Sequence, residues 1–307
     1  MIPMRGGALG NLVAETATGL AKRENEVIHY SADTGALLKT RTASVVTVHG
    51  VASRWIDVAR NPRQEFIWRS RVGRAMASSD RIITVSNSAA DDIANVFQVD
   101  PSRIEVILHG VDHPGESEGI SQELREAMPD GPYALYLGNV EPRKNLIALS
   151  EAFDRTPLAD LGIPLVIAGR MAWNFEESAA AIDRARNVHY VGFVSNEDRL
   201  ALMQGATLFV FPSLYEGFGM PVIEAMAVGT PVACSRRGSL AEVSGPSWEL
   251  DDLSAEGLSN SLAAALQDSD FLAGAAQSGP EWAQRFKWDD SIDAHIRVYR
   301  SALEARL

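Results

Sequence analysis

Two glutamates lie eight positions apart in a glycine-rich stretch, residues 211–231, which reads FPSLYEGFGMPVIEAMAVGTP. Glu216 belongs to a loop segment, and Glu224 follows Pro221, where the pattern predicts a helix. A carboxylate binds paired hydroxyl groups, as on a sugar or a ribose, by accepting two O–H hydrogen bonds. The stretch therefore predicts two carboxylates that face one cleft and bind a polyhydroxyl ligand.

The spacing alone leaves a second interpretation open. Glu216 could be a solvated loop residue, and Glu224 an ordinary glutamate favoured by the positive end of a helix dipole. A second element upstream favours the functional interpretation, because it also has the composition of a phosphate site.

The elements around the two glutamates predict an anion site. The apolar run 207–211, flanked by glycine and proline, is typical of a buried strand, and Pro221 favours the first position of the following helix. The helix start supplies free N–H groups and a partial positive charge, and Gly217 and Gly219 let a ligand approach the backbone. A phosphate group suits this loop.

The upstream element is another short strand that ends in glycine, residues 133–138. It leads into the segment NVEPRKN, where Arg143 and Lys144 lie just before an apolar-periodic helix at 146–153. Two adjacent cations suit a diphosphate. The two elements together predict a site for a ligand that carries both phosphates and hydroxyl groups.

Four segments in this order resemble the C-terminal half of a retaining glycosyltransferase of family 4, which has the GT-B fold. They are LGNVEPRKN, VIAGRMAW, GFVSNEDRLALMQGA and FPSLYEGFGMPVIEAMAVGTPVACS. The Glu-x7-Glu pattern of Glu216 and Glu224 matches that family's motif. The resemblance is good from about His49 to the C-terminus and weaker before it.

The resemblance implies an α/β protein of two Rossmann-like domains whose parallel sheets face each other across a cleft. We expect an acceptor-side domain at 1–128, a nucleotide-sugar-binding domain at 129–287 and a helix at 288–307 that returns to the first domain. Few residues precede the Gly6-Gly7 loop, and the segment 31–43 has room for little more than a short turn. The N-terminal domain is therefore expected to be reduced, with its first strand absent or upstream.

The resemblance also assigns roles. Glu224 would hold the ribose hydroxyls, Glu216 the transferred sugar, and His49 would contact the donor sugar. Arg143 and Lys144, with the helix start after Gly219, would stabilise the departing nucleotide diphosphate without a metal ion. The remaining expected donor contacts are Gly7, Asn139, Phe193, Val194, Gly217, Phe218 and Gly219.

The expected function is transfer of a hexose from a nucleotide-diphosphate sugar to a hydroxyl group of a glycan or lipid-linked acceptor. No cofactor is expected besides the donor itself. The segment GRMAW after the EPRKN motif resembles mannosyl- and rhamnosyl-transferring members that build surface polysaccharide. GDP-mannose is therefore the leading donor candidate, and retention of anomeric configuration is implied by the family.

Two alternatives of other classes stay open. If the short N-terminal domain cannot complete the acceptor side, the chain would be a nucleotide-sugar-binding subunit that needs a partner. A hydrolase or epimerase of the same fold would act on the nucleotide sugar without an acceptor. Activity of the isolated chain and the identity of the product separate these alternatives from a transferase.

The net charge of −12 is unevenly placed. Residues 1–113 carry 13 Lys and Arg against 12 Asp and Glu, and the remaining residues carry 15 against 28. An acidic C-terminal half argues against a nucleic acid as partner.

One basic stretch, interleaved with aromatic residues, stands out at 54–74. Its arginines are Arg54, Arg60, Arg63, Arg69, Arg71 and Arg74. It predicts a loop followed by a helix. Either this helix has an ordinary solvated face, or it forms a patch for an anionic lipid surface or a lipid-pyrophosphate acceptor.

The cysteine content and the hydropathy of the sequence indicate where in the cell the protein is expected. The single Cys234 excludes an internal disulfide, and the sequence shows neither a signal peptide nor an apolar run of the roughly 18 residues that a membrane span needs. We therefore expect a cytoplasmic protein, peripheral at the inner face of the membrane if the basic patch binds lipid.

Overall fold

The structure is a computed structural model of the chain that describes residues 8–56 and 62–306. The chain folds into two units. The first comprises Met1–Gly110 and Trp288–Leu307, and the second is Val111–Lys287. The expected donor contact Gly7 and the expected lipid contact Arg60 lie outside the described residues.

The strands, in chain order, are β1 Val27–Tyr30, β2 Ala43–Thr47, β3 Arg81–Thr84, β4 Ile104–Val106, β5 Ala134–Leu137, β6 Leu165–Ala168, β7 Val188–Gly192, β8 Leu208–Phe211, β9 Val232–Cys234 and β10 Trp248–Glu249. The α-helices are α1 Ala8–Leu20, α2 Pro62–Ser78, α3 Asn87–Phe97, α4 Gln122–Ala127, α5 Leu146–Phe153, α6 Glu176–Arg184, α7 Asn196–Gly205, α8 Met220–Ala227, α9 Leu240–Val243, α10 Ala255–Gln267, α11 Ser269–Ala283 and α12 Trp288–Glu304.

The first unit is built on a parallel sheet in the order β1-β2-β3-β4. Alternate side chains of a strand point to opposite faces, so each face needs its own cover. Val46 and Ile82 pack in a core with α2 and α3, whereas Val45 and Ile83 pack in another with Val298 of α12. Helices on both faces explain why every residue of β2 is buried.

The second unit is built on a parallel sheet in the order β10-β9-β8-β5-β6-β7. From β5 the chain winds towards β7, and from β8 it winds in the other direction towards β10. The pair β5 and β8 is therefore the point at which the strand order reverses. Open α/β sheets bind ligands outside the carboxyl ends of the strands at such a point.

The division between the units differs from the boundary expected at residue 128, since residues 111–128 belong with the second unit. Hydrogen bonds explain this: the backbone N–H of Ser117 donates to Gln204 at 2.9 Å, and that of Ser121 donates to Asp198 at 2.7 Å, both acceptors lying on α7. The same polar segment contains helix α4.

The start of one helix also differs from the expected one. Helix α8 begins at Met220, so Pro221 is its second residue, and Gly219 is its N-cap with a φ of 99°. Helix α3 is capped by Ser86, whose hydroxyl accepts from the backbone N–H of Ala89 at 3.0 Å. Within residues 8–56 and 62–306, no helix combines the length and the hydropathy that crossing a membrane requires.

Candidate functional site

A cleft of about 380 Å³ opens at the carboxyl ends of the strands of the second unit. Residues that follow β5, β6 and β7 form one part of its lining, and side chains of α7 and α8 form the other. Three of the expected donor contacts, Asn139, Phe193 and Val194, line this cleft together with Glu224. The structure thus brings these four residues to one place.

Glycines at the ends of β5 and β6 shape the cleft. A Cβ atom on Gly169 would lie 1.8 Å from the carbonyl oxygen of Gly138, so the two loops touch backbone to backbone. Both residues line the cleft. Because neither side chain fills the space there, the backbone itself forms part of the wall and a ligand can approach it closely.

Next to β5 and β8 lies a cluster of four charged side chains, Glu141, Arg143, Lys144 and Glu216. Arg143 donates to Oε2 of Glu216 at 2.7 Å and to Oε1 of Glu141 at 2.6 Å. Lys144 donates to Oε1 of Glu216 at 2.5 Å. The two positive and two negative charges compensate one another, which is what permits their burial.

The electrostatics of this charged cluster keep Glu216 ionised. Burial raises the pKa of the Glu216 carboxyl, but the neighbouring Lys144 and Arg143 outweigh burial and hold this pKa below its ordinary value. The ammonium nitrogen of Lys144 also lies 4.6 Å from the centre of the Phe211 ring, a favourable distance for a cation over an aromatic face.

This arrangement differs from the simplest interpretation of the sequence in one respect. Arg143 and Lys144 were expected to meet a diphosphate, and Glu216 a sugar, yet both cations donate to the Glu216 carboxylate. The interpretation of Glu216 as a solvated loop residue is wrong, because only 6% of the residue is exposed.

Glu224 lies on α8 and accepts a hydrogen bond from Arg199 of α7 at 2.7 Å. Nearby, the Arg170 guanidinium lies 3.9 Å from the centre of the Phe193 ring, and the ring is 65% exposed. An exposed aromatic face and a planar guanidinium at a cleft are suited to stacking on a flat heterocycle. The cleft therefore combines a flat surface with a carboxyl group that accepts hydrogen bonds.

The loop between β8 and α8 presents backbone rather than side chains. The Phe218 ring is buried and packs edge to face on Phe286, with ring centres 6.0 Å apart. Gly219 has a positive φ, and a Cβ atom there would meet Leu240 at 2.6 Å. With half-buried Gly217 between Glu216 and Phe218, this loop has the backbone-only character expected from the sequence.

His49 belongs to the first unit, two residues beyond the end of β2. Oδ1 of Asp33 accepts from its backbone N–H at 2.8 Å and lies 3.1 Å from its Nδ1. The hydrogen bond to Asp33 raises the pKa of His49 above its ordinary value, although burial opposes this. Asp33 itself has a φ of 58°, a left-handed conformation that few side chains other than Asp and Asn tolerate.

Two of the described arginines of the basic stretch are held in ion pairs. Arg54 pairs with buried Asp92 at 2.8 Å, and Arg69 pairs with Glu65 at 2.5 Å. Arg71 is half-buried. The exposed arginines of α2 that remain are Arg63 and Arg74.

Three residues of these sites were not found from the sequence: Glu141, Arg199 and Asp33. The sequence did point to Arg199, because a cation in the first turn of a helix opposes the helix dipole and is favoured there only with a partner. No sequence pattern pointed to Glu141 or Asp33, since a carboxylate in a loop is ordinary and its partner depends on the fold.

Two protein families match the chain. The family described as Glycosyl transferases group 1 matches residues 120–281, and the family described as Glycosyltransferase Family 4 matches residues 24–113. Among solved structures, sucrose-phosphate synthase from Thermosynechococcus elongatus is similar with a TM-score of 0.71 and 21% identity, over 91% of this chain and 74% of that one. The expected GT-B fold is confirmed.

Two curated relatives are mannosyltransferases by name. O-antigen chain mannosyltransferase B of Escherichia coli is 31% identical over 237 residues, 74% of this chain and 62% of the relative. MMP alpha-(1->4)-mannosyltransferase of Mycolicibacterium hassiacum is 34% identical over 173 residues, 55% of this chain and 40% of the relative. The chain thus spans less than two thirds of the length of either. Because the group 1 match runs over more than half of the sequence, the chain belongs to the family Glycosyl transferases group 1.

Proposed function

We propose that the chain is a glycosyltransferase that moves a hexose from a nucleotide-diphosphate sugar to a hydroxyl group of a glycan or lipid-linked acceptor. The proposal includes retention of anomeric configuration and no requirement for a metal ion. The observation that carries it is the cleft at the reversal of strand order, where Glu224 lines the wall and the cluster of Arg143, Lys144 and Glu216 lies beside β5 and β8.

We propose one orientation for the donor in this cleft. The nucleobase would lie against Phe193 and Val194, and the ribose hydroxyls would donate to Glu224. The diphosphate would then reach the N-terminus of α8, where the positive end of the helix dipole favours an anion. The sugar would lie towards Glu216, within reach of its carboxylate and of the backbone after it.

Arg143 and Lys144 can serve the phosphates without releasing Glu216. A guanidinium has five N–H donors and an ammonium has three, so each can hold a carboxylate and still donate to a phosphate oxygen. When the bond between the anomeric carbon and the phosphate oxygen breaks, negative charge builds on the departing diphosphate. Fixed positive charges stabilise this charge without reorganising, which lowers the barrier.

The donor that we propose is GDP-mannose. The two curated relatives described above are named as mannosyltransferases, and the segment that follows β6 resembles mannosyl-transferring members. These names also favour transfer to an acceptor over hydrolysis or epimerisation. Activity of the isolated chain distinguishes a transferase from a binding subunit that needs a partner chain.

Calorimetric titration of the purified chain with GDP, UDP, dTDP and their sugars tests the donor site. We expect one diphosphate to bind in the micromolar range and Glu224→Ala to abolish binding with the fold intact. Glu177→Ala is the matched control, because Glu177 is an exposed glutamate in the first turn of α6, outside the cleft. Binding that survives in Glu224→Ala would remove the ribose role, and absence of all binding by the wild type would remove the donor site.

The proposal also includes contact between one face of α2 and a lipid surface. Arg63, Phe66, Ile67 and Arg74 recur at helical spacing on α2, which places them on one face. Phe66 is 73% and Ile67 is 57% exposed. Apolar side chains flanked by arginines are the composition of a helix that lies on an anionic membrane surface.

Vesicle sedimentation tests this contact. The wild type should bind vesicles that contain anionic lipid, and Phe66→Ser with Ile67→Ser should weaken binding while leaving donor affinity unchanged. Leu38→Ser is the control, since Leu38 is also exposed on the first unit but lies outside α2. A wild type that ignores anionic vesicles would refute the lipid contact alone.

A further inference from the structure

The ion pair of Arg199 and Glu224 joins two helices at the edge of the donor cleft. Arg199 is the fourth residue of α7, and its Nη1 donates to Oε2 of Glu224 on α8 at 2.7 Å. The arginine side chain is 41% exposed and the glutamate side chain 21%. Glu224 therefore already has a bound cationic partner before any ligand arrives.

The pair also lies between two spaces. A second cleft, of about 340 Å³, is lined by residues that include Asp112 and Asn196, and it shares Arg199, Met203 and Glu224 with the donor cleft. The three shared side chains form the common wall. A change in the direction of the Glu224 carboxylate would turn it from one space towards the other.

A contribution to folding stability does not explain why an arginine occupies position 199. Glu197 and Asp198 suit the first turn of α7, whereas a cation there opposes the helix dipole. Ion pairs with partners as exposed as these contribute little to folding. The evident consequence of the bond is the position of the carboxylate, because it restrains a side chain that otherwise rotates about three bonds.

We propose that Arg199 is a positioning residue that directs the Glu224 carboxylate towards the ribose and thereby sets the preference for ribonucleotide over 2′-deoxyribonucleotide donors. The inference rests on the proposed function, in which Glu224 accepts from the ribose hydroxyls. A site that is built to bond a hydroxyl rejects a ligand without it, because a polar group of the site is then left unpaired. The cost of leaving the carboxylate unpaired arises only if the carboxylate is held in place, because a mobile carboxylate can turn towards solvent.

The test compares the diphosphate of guanosine or uridine, whichever binds more tightly, with its 2′-deoxy analogue. In the wild type the ribose form should bind roughly tenfold more tightly or better, as expected for a lost hydrogen bond to a charged group. Arg199→Leu should reduce this ratio at least about threefold, and Glu224→Gln should reduce it similarly. Arg199→Lys should restore most of the ratio, because it retains the charge.

Two features make the outcome decisive. Arg184→Leu is the matched control, since Arg184 is an exposed arginine of α6 outside both clefts. A merely structural role for Arg199 would weaken both nucleotides equally and leave the ratio unchanged, which would overturn the inference. If the wild type binds neither diphosphate, the proposed function itself fails, and that result is distinguishable from an unchanged ratio.

Discussion

Lys144 and Glu216 form a buried ion pair although 72 positions separate them in the chain. Their side chains are 7% and 8% exposed. Lys144 follows β5 and Glu216 follows β8, the two neighbouring strands at which the strand order reverses. The pair therefore ties together the two loops that the proposed diphosphate and sugar would contact, and its integrity matters to both fold and site.

The costs of removing the two partners of this pair should not be additive. Lys144→Met leaves part of the Glu216 charge buried without its partner, and should lower the free energy of unfolding by roughly 3 kcal/mol. Lys144→Met with Glu216→Gln should cost less than the sum of the two single changes. Chemical denaturation of the four proteins as a double-mutant cycle measures the difference, and additive costs would show that the two groups do not interact.

The cations should matter more to turnover than to the ground state. Arg143→Ala with Lys144→Ala should lower kcat on the order of a hundredfold, because charge that develops on the departing diphosphate loses its stabilising groups. Steady-state kinetics with saturating donor measures this, with Arg184→Ala as the control for loss of an exposed arginine. A drop of only a fewfold would place the phosphates elsewhere.

His29 should make stability depend on pH. Burial, with the charges of His295 and His49, lowers the pKa of His29 from 6.5 to about 4, and its ring is hydrogen-bonded to Thr47 and Tyr299. The folded state thus disfavours the charged ring, so the stability contributed by neutral His29 is present above pH 6.5 and is lost as pH falls towards 4.

The thermal unfolding midpoint should therefore decline between those two pH values in the wild type. In His29→Asn the midpoint should be lower throughout, because hydrogen bonds are lost, but its decline over this pH range should be shallower. An equally steep decline in the variant would assign the effect to other groups.

Asp33 should control the titration of His49. The hydrogen bond to Asp33 is the main cause of the raised pKa of His49. In Asp33→Asn the charge is gone and burial remains, so this pKa should fall. A raised histidine pKa contributes stability at low pH that is lost as pH rises through the folded pKa, so the wild type should lose more stability across that rise than the variant.

NMR titration of the His49 ring resonances measures the change directly and needs no substrate. The control is Asp91→Asn, because Asp91 is an exposed carboxylate of the same unit. If the pKa of His49 is the same in Asp33→Asn as in the wild type, the Asp33 carboxylate does not control this pKa.

Local patterns were enough to predict the two strands that precede the proposed site. Helix α5 has the predicted ends, and strands β5 and β8 lie within the predicted runs 133–138 and 207–211, because glycine or proline borders these short apolar runs. No local pattern predicted helices α10 and α11. Helix α4 lies in a segment whose polar composition is that of a connection, and its hydrogen bonds to distant residues cannot be seen locally.

The sequence predicts which residues belong to the proposed site, but not which of them form ion pairs with one another. Glycine loops after strands and the spacing of Glu216 and Glu224 are visible in one stretch of sequence. Whether Lys144 meets Glu216 depends on β5 lying beside β8, and a local pattern contains no information on strand order. The same holds for Arg199 and Glu224, which meet because α7 and α8 both contribute side chains to the cleft.

Gly169 should be intolerant of any side chain. A Cβ atom there would lie 1.8 Å from the carbonyl oxygen of Gly138, so Gly169→Ala must separate the loops after β5 and β6. We expect a loss of about 3 kcal/mol in the free energy of unfolding, since backbone must move, and weaker nucleotide binding. Gly274→Ala is the control: this exposed glycine of α11 has nothing within 4 Å of the added Cβ, and alanine favours the helix. Denaturant titration compares the two, and equal stability of both variants would mean that the loops do not touch.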